Sequence, residues 1–259
     1  MPMPQPTKRA AHSVRLAVTL FLLASCACEV HRADDGRRPD PAPDDAAPYQ
    51  AAVDEGLGAA VAILVDTSGS MKEQAPGDSR AKSEVAQEAI EAMLDATDAF
   101  VAKRPDFPIK IGIYSFSSGV RVLRPIQPYD RAALRLTLAT LPRPGGGTAI
   151  GDAMRAARPD LYGAGVFRKY LLVVTDGENT SGRDPEDVAR DIFRKSEGAV
   201  QIYFVAFDTR PEKFAFLKAT GGDVIGAGSG VELRRALDGI YQGKILAEAV
   251  GGEKEPGRK

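Results

Sequence analysis

The chain has 259 residues, 44% hydrophobic and 27% charged, with a formal net charge of −1. That suits one domain of roughly 200 residues plus extra segments, and it offers no global basic field for nucleic acid. The two cysteines, Cys26 and Cys28, and the two histidines, His12 and His31, all lie near the N-terminus. A disulfide framework, a histidine-ligated zinc site and a histidine-based triad are therefore excluded from the remainder.

Residues 1–25 read as an export signal: Lys8, Arg9 and Arg15 form a basic region before the short apolar run LAVTLFLLAS, too short to span a bilayer comfortably. Leu23-Ala24-Ser25-Cys26 resembles the bacterial lipobox. The resemblance implies that Cys26 is lipidated and becomes the mature N-terminus of an exported, membrane-anchored protein. Ala27, where inner-membrane lipoproteins carry an aspartate, points to the outer membrane by the same resemblance. An ordinary secretory signal is the alternative, and Cys28 is incidental. Residues 27–56, with Pro39, Pro41, Pro43, Pro48 and mixed charge, read as an extended tether with little that could form a core.

Residues 59–65 are a continuous run of small and aliphatic side chains, the pattern of a strand buried on both faces. Asp66, Ser68 and Ser70 follow at alternate positions where that strand must end. Such residues are also ordinary turn and capping residues. A helix is predicted over residues 80–103, capped by Asp78 or Ser79, with Val85, Ala89, Ile90, Met93, Leu94, Thr97, Phe100 and Val101 as its core stripe. Residues 109–116 form a second strand. The link Ser117-Ser118-Gly119 leads into VRVL, and so short a link implies an antiparallel hairpin. A short helix over 131–141 precedes Gly145-Gly146-Gly147-Thr148. A helix over 150–162 follows, with Ile150, Ala153, Met154, Ala157 and Leu161 on one face. Residues 170–175 make a buried strand ending at Asp176. Beyond it the pattern gives a helix over 184–197, a strand over 201–207, a helix over 211–219, a short strand over 223–226 and a terminal helix over 231–250. Residues 251–259 are a polar tail. Alternating strands and helices argue an α/β fold with a mostly parallel sheet.

Three separated segments thus place Asp66, Ser68, Ser70, Thr148 and Asp176 near strand ends, where open α/β sheets collect ligands. Two carboxylates and three hydroxyls are hard oxygen donors, suited to an octahedral Mg²⁺ that keeps waters. The glycine triplet could instead cradle a phosphate at a helix N-terminus, but no Gly-Lys-Ser/Thr follows. Glu178 and Asn179 are read as solvated residues of the rim, Met71 as loop packing and Lys72 as surface.

Asp66-Thr67-Ser68-Gly69-Ser70, the later Gly-Gly-Thr and Thr175-Asp176-Gly177 resemble, in order and spacing, the von Willebrand factor A domain, over residues 57–250. The resemblance implies a Rossmann-like, doubly wound, mostly parallel sheet with one antiparallel edge strand and helices on both faces. It also implies a metal-ion-dependent adhesion site (MIDAS) for Mg²⁺ or Mn²⁺. There Ser68 and Ser70 coordinate directly, Thr148 directly or through water, and Asp66 and Asp176 mainly through water. The implied function is a membrane-tethered, non-enzymatic binding module that captures an exposed Asp or Glu of a partner protein. The alternative is a Mg²⁺-dependent hydrolase of phosphate esters, against which stands the lack of a general base besides the metal's own ligands.

Overall fold

The computed structural model describes residues 55–247. The expected export signal, the expected lipidation at Cys26, the expected tether up to residue 54 and the expected polar tail lie outside the described residues. In chain order the strands and helices are β1 (Gly56–Asp66), α1 (Lys82–Lys103), β2 (Ile109–Phe116), β3 (Val120–Pro128), α2 (Arg131–Leu138) and α3 (Ile150–Tyr162). There follow β4 (Val166–Thr175), α4 (Pro185–Lys195), β5 (Val200–Phe207), β6 (Asp223–Ala227) and α5 (Gly230–Ile240).

β1 is the axis. Each residue from Ala59 to Val65 is at most 1% exposed. Alternation sends Val61, Ile63 and Val65 into one core and Ala60, Ala62 and Leu64 into the other. A strand apolar on both sides has to sit mid-sheet. It does, in the order β3-β2-β1-β4-β5-β6. β2 and β4 flank β1 in parallel, and the β4–β5 and β5–β6 pairs are parallel too. The β2–β3 hairpin supplies the antiparallel edge, as its three-residue link requires. β3 runs past the expected VRVL to Pro128; at an edge, Pro125 and Pro128 cost the ladder little.

α1, α2 and α5 contribute to the first core, and α3 and α4 to the second. Helices therefore cover both faces, as a doubly wound fold demands. On α1, Val85, Ile90, Met93 and Leu94 are buried, each stabilising the fold by about 1.5–3 kcal/mol. Among the described residues no helix is long and apolar enough to cross a membrane.

Several boundaries differ from the sequence pattern. α1 starts at Lys82 rather than Arg80, because the residues before it are pinned to the preceding loop. Ala75 N donates to Arg80 O, Lys82 N donates to Glu73 O, and Gln74 pairs with Ala81. Asp78 accepts from Arg80 N instead of capping, and the carboxylate of Glu84 accepts from Ala81 N. α2 ends at Leu138, three residues early. β4 begins at Val166, four residues early; Arg168-Lys169 looks too polar for a strand, yet the Lys169 ammonium is buried against Glu55 and Val166 O. Residues 211–220 form a 3-10 segment kinked at Phe214. After α5 the chain widens into a π turn, Tyr241–Leu246, whose buried Tyr241 accepts a hydrogen bond from Thr97 at 2.7 Å. The remainder of the expected terminal helix lies outside the described residues.

Strand order also fixes where a site can form. From β1 the chain crosses to β2 on one side, whereas β4 leads to β5 and β6 on the other. The carboxyl ends of β1 and β4 therefore flank the topological switch point, where a crevice opens in open α/β sheets.

Candidate metal centre

Three loops meet in that crevice. The first leaves β1 at Asp66, whose Oδ1 accepts from Ser68 N at 2.7 Å. This aspartate turn brings the hydroxyls of Ser68 and Ser70 to 3.2 Å from each other. The 3-10 turn Gly69–Lys72 follows, with Met71 fully buried beneath and Lys72 exposed.

The second loop carries the glycine triplet. Gly145 N donates to Thr67 O at 2.8 Å, and Gly146 O accepts from Gly69 N at 3.0 Å. Gly146 has φ 81°, and a Cβ there would stand 2.7 Å from Ser118 Oγ. Both conformation and space demand glycine. Most amides that a phosphate cradle would use here are already taken, that of Gly145 by Thr67 O. Gly147 N donates to Ser118 Oγ, Thr148 N to Thr180 Oγ1, Ala149 N to Ser117 O and Ile150 N to Asn179 Oδ1.

The third loop leaves β4. Thr175 Oγ1 donates to Asp66 Oδ2 at 2.6 Å, and Ser70 Oγ donates to Asp176 Oδ1 at 2.7 Å. Since the Ser70 proton goes to Asp176, Ser68 is the donor in the serine pair. Asp66, Ser68, Ser70 and Asp176 thus form one hydrogen-bonded set across two loops. Thr148, 5% exposed, joins through its loop: its carbonyl accepts from Thr180 N at 2.9 Å, and no direct bond links it to the other four.

Two contributors escaped the sequence reading. Asn179 is structural rather than a rim residue. Its Oδ1 accepts from Ile150 N and, at 3.4 Å, from Gly151 N, capping α3 from another loop. The signal was available, since Ala149 at the head of that helix has no side chain to cap it. Glu178, by contrast, is exposed and pairs with Lys213. Lys82 is the larger omission. It opens α1 at 3% exposure, with Nζ 3.2 Å from Asp176 Oδ2, 3.1 Å from Glu73 and 2.8 Å from Asp208. Burial alone would lower its pKa; the bonds to Asp208, Glu73 and Asp176 outweigh that and hold the ammonium charged. A lysine in an otherwise amphipathic first turn carries no sequence mark of this role.

Burial pushes Asp66 up to about 6, against the hydrogen bonds from Thr175 and Ser68 that pull it down, with Asp176 adding to the rise. A fully buried carboxylate is thus held at a cost that a cation would relieve. Among the described residues no three His, Cys, Asp or Glu side chains cluster to hold a metal. A cation here depends on hydroxyl donors, which suits Mg²⁺ or Mn²⁺ rather than the nitrogen and sulfur sites of zinc. The donor set fits such an ion: Ser68 and Ser70 as neutral oxygens, the Asp66 and Asp176 carboxylates behind them, and Thr148 on the adjoining loop.

Residues 61–178 match the von Willebrand factor type A domain family, a span that contains all five site residues. The chain carries a von Willebrand factor type A domain. No curated protein matches the sequence. Solved structures similar to this A domain include the PilB minor pilin of Streptococcus sanguinis, at 14% identity and a TM-score of 0.62, covering 76% of this chain. The chain spans 64% of that pilin's length. An aerotolerance-related membrane protein of Bacteroides fragilis is similar at 21% identity and a TM-score of 0.53, covering 72% of this chain and all of that one. Proximal thread matrix protein 1 of the mussel byssus, solved with a zinc-occupied MIDAS motif, is similar at 18% identity and a TM-score of 0.56. That match covers 76% of this chain and 47% of the byssus protein. At such identities the likeness is one of fold.

Proposed function

We propose that this protein is a non-catalytic, metal-dependent protein-binding module, anchored in the bacterial envelope by a lipid on Cys26 and held off the membrane by residues 27–54, the chain from Glu55 on belonging to the folded domain. In this reading Ser68, Ser70 and Thr148, backed by Asp66 and Asp176, hold Mg²⁺ or Mn²⁺. The bound ion supplies a Lewis-acidic position that an Asp or Glu of the partner completes. One observation carries the reading: two carboxylates and a pair of facing hydroxyls, drawn from loops 106 residues apart in sequence, share hydrogen bonds at the switch point of an A domain. The zinc in the MIDAS of the byssus protein supports a divalent ion at such a site. The membrane protein from Bacteroides gives support to an envelope setting, as does the lipobox.

Calorimetric titration of the full chain with Mg²⁺ and with Mn²⁺ tests the ion. Saturable one-site binding that Asp66→Ala abolishes is the expected result. Acetate, added to the metal-loaded chain, should bind in its presence and not in chelator. Equal acetate binding with and without metal would sink carboxylate capture. Labelling with radioactive palmitate that persists in Cys26→Ser would sink the lipid anchor.

A further inference from the structure

Beside the metal centre, on the β2 flank of Asp66 and away from Asp176, the carboxyl ends of β1 and β2 and the start of β3 open a cavity of about 300 Å³. Thr67, Ser115, Ser117, Arg121, Pro142 and Arg143 line it. Thr67 is the wall the two sites share. It stands between Asp66 and Ser68, donates its hydroxyl to Phe116 O at 3.0 Å, and accepts from Gly145 N. Arg121 is paired with Ser115 across the β2–β3 hairpin, and Arg143 comes from the loop that carries the glycine triplet.

Both arginines are exposed. Neither guanidinium has a carboxylate partner or any other side-chain hydrogen bond among the described residues. That sets them apart from Arg80, Arg131, Arg158, Arg183, Arg190 and Arg234, all of which are ion-paired. Residues 107–151 hold six lysines and arginines against one acid, Asp130, and Asp130 is occupied capping α2 through Ala133 N.

We propose that this groove is the second half of the partner site: Arg121 and Arg143 bind a further carboxylate of an acidic partner segment whose first carboxylate reaches the metal. The proposal rests on the carboxylate-capture reading above and adds the partner's chemistry, a segment with at least two acidic side chains. Guanidinium groups suit the task, since their planar forks match carboxylates bidentately and give up hydration more readily than an ammonium. A basic flank beside the ion also speeds encounter with an acidic chain, in a salt-dependent way.

The test uses the full chain and a fluorescently labelled hexa-aspartate peptide, with binding followed by anisotropy in saturating Mn²⁺ and in chelator. Joint replacement by Arg121→Gln and Arg143→Gln is expected to weaken peptide binding by about tenfold or more and to flatten its salt dependence. Mn²⁺ binding should stay within about twofold of wild type, because the cation does not engage the groove. Unchanged peptide affinity in the double variant overturns the groove and leaves carboxylate capture standing. An equal loss in Arg235→Gln, which removes a charge from α5, overturns it as well, since the effect is then one of net charge. Peptide binding that persists in chelator and in Asp66→Ala, yet falls in the double variant, keeps the groove and overturns capture at the metal. No binding by wild type overturns both.

Discussion

Replacing Asp66 by asparagine should stabilise the metal-free domain while destroying its response to metal. Asp66 is fully buried, and its carboxyl titrates near 6 instead of 3.8, chiefly because burial disfavours the charge. For a carboxyl raised in the folded state, the folded chain holds its proton longer than the unfolded chain. The stability linked to that proton is complete below about pH 4 and is lost as pH rises through about 6. Roughly two pH units correspond to about 3 kcal/mol at neutral pH. The amide avoids this cost and finds partners in place. Its oxygen can accept from Ser68 N, and its NH₂ can donate to Thr175 Oγ1, whose own proton can turn to Gly177 O, 3.2 Å away. Imperfect geometry takes back part of the gain, leaving about 1–3 kcal/mol, a shift of about 1 M in the urea midpoint for a domain of this size. The assay is urea unfolding in chelator from about pH 4 to about pH 8, repeated with millimolar Mg²⁺. The two curves should converge at the acid end, part between about pH 4 and about pH 6 and run parallel above that, with asparagine the more stable, and only wild type should gain from Mg²⁺. A metal-free asparagine variant weaker than wild type at neutral pH would refute the reasoning, because the buried charge would then not be the cost described.

Three further outcomes follow from the same geometry. Ser70→Ala removes the hydroxyl that bonds Asp176 and faces Ser68; calorimetry should show Mn²⁺ binding weakened by about tenfold or more, with the far-ultraviolet circular dichroism unchanged. Lys82→Met removes an ammonium that touches Asp176. Since Ser70 still holds the other carboxylate oxygen, Mn²⁺ should bind several-fold more tightly as the local charge becomes more negative, and weaker binding would show that Lys82 acts by placing Asp176. Gly151→Ala puts a methyl 2.2 Å from Arg183 O; forcing α3 from the third loop should cost about 1–3 kcal/mol in urea unfolding, and a neutral result would mean that the loop yields freely.

The sheet was legible because its signal is coarse. An uninterrupted apolar run such as residues 59–65 can only be satisfied at the centre of a sheet, and a link of three residues between two strands can only be a hairpin. The meeting of Asp66, Ser68, Ser70 and Asp176 was legible for the same reason, each being tied to a strand end. What stayed hidden depends on pairing between distant segments. Lys169 reads as surface until Glu55 and a backbone carbonyl are seen to take its charge. Lys82 reads as the first turn of a helix until Asp176 and Asp208, 94 and 126 positions away, close around it. The missing cap of α3 was visible as Ala149, but only the folded chain shows that Asn179 fills the role.

The central place of β1 has a mechanical consequence. The strand enters at Gly56 at one pole and delivers Asp66 and the serines at the other, with β2 bonded along one edge and β4 along the other. A pull between the chain preceding Gly56 and a ligand gripped at the serines is directed along β1 itself. The two ladders are then loaded in shear, so that their hydrogen bonds share the force instead of opening one after another. Resistance to such a load is set by the rate of unfolding, and a grip placed at the end of the most deeply buried strand draws on the whole sheet to hold.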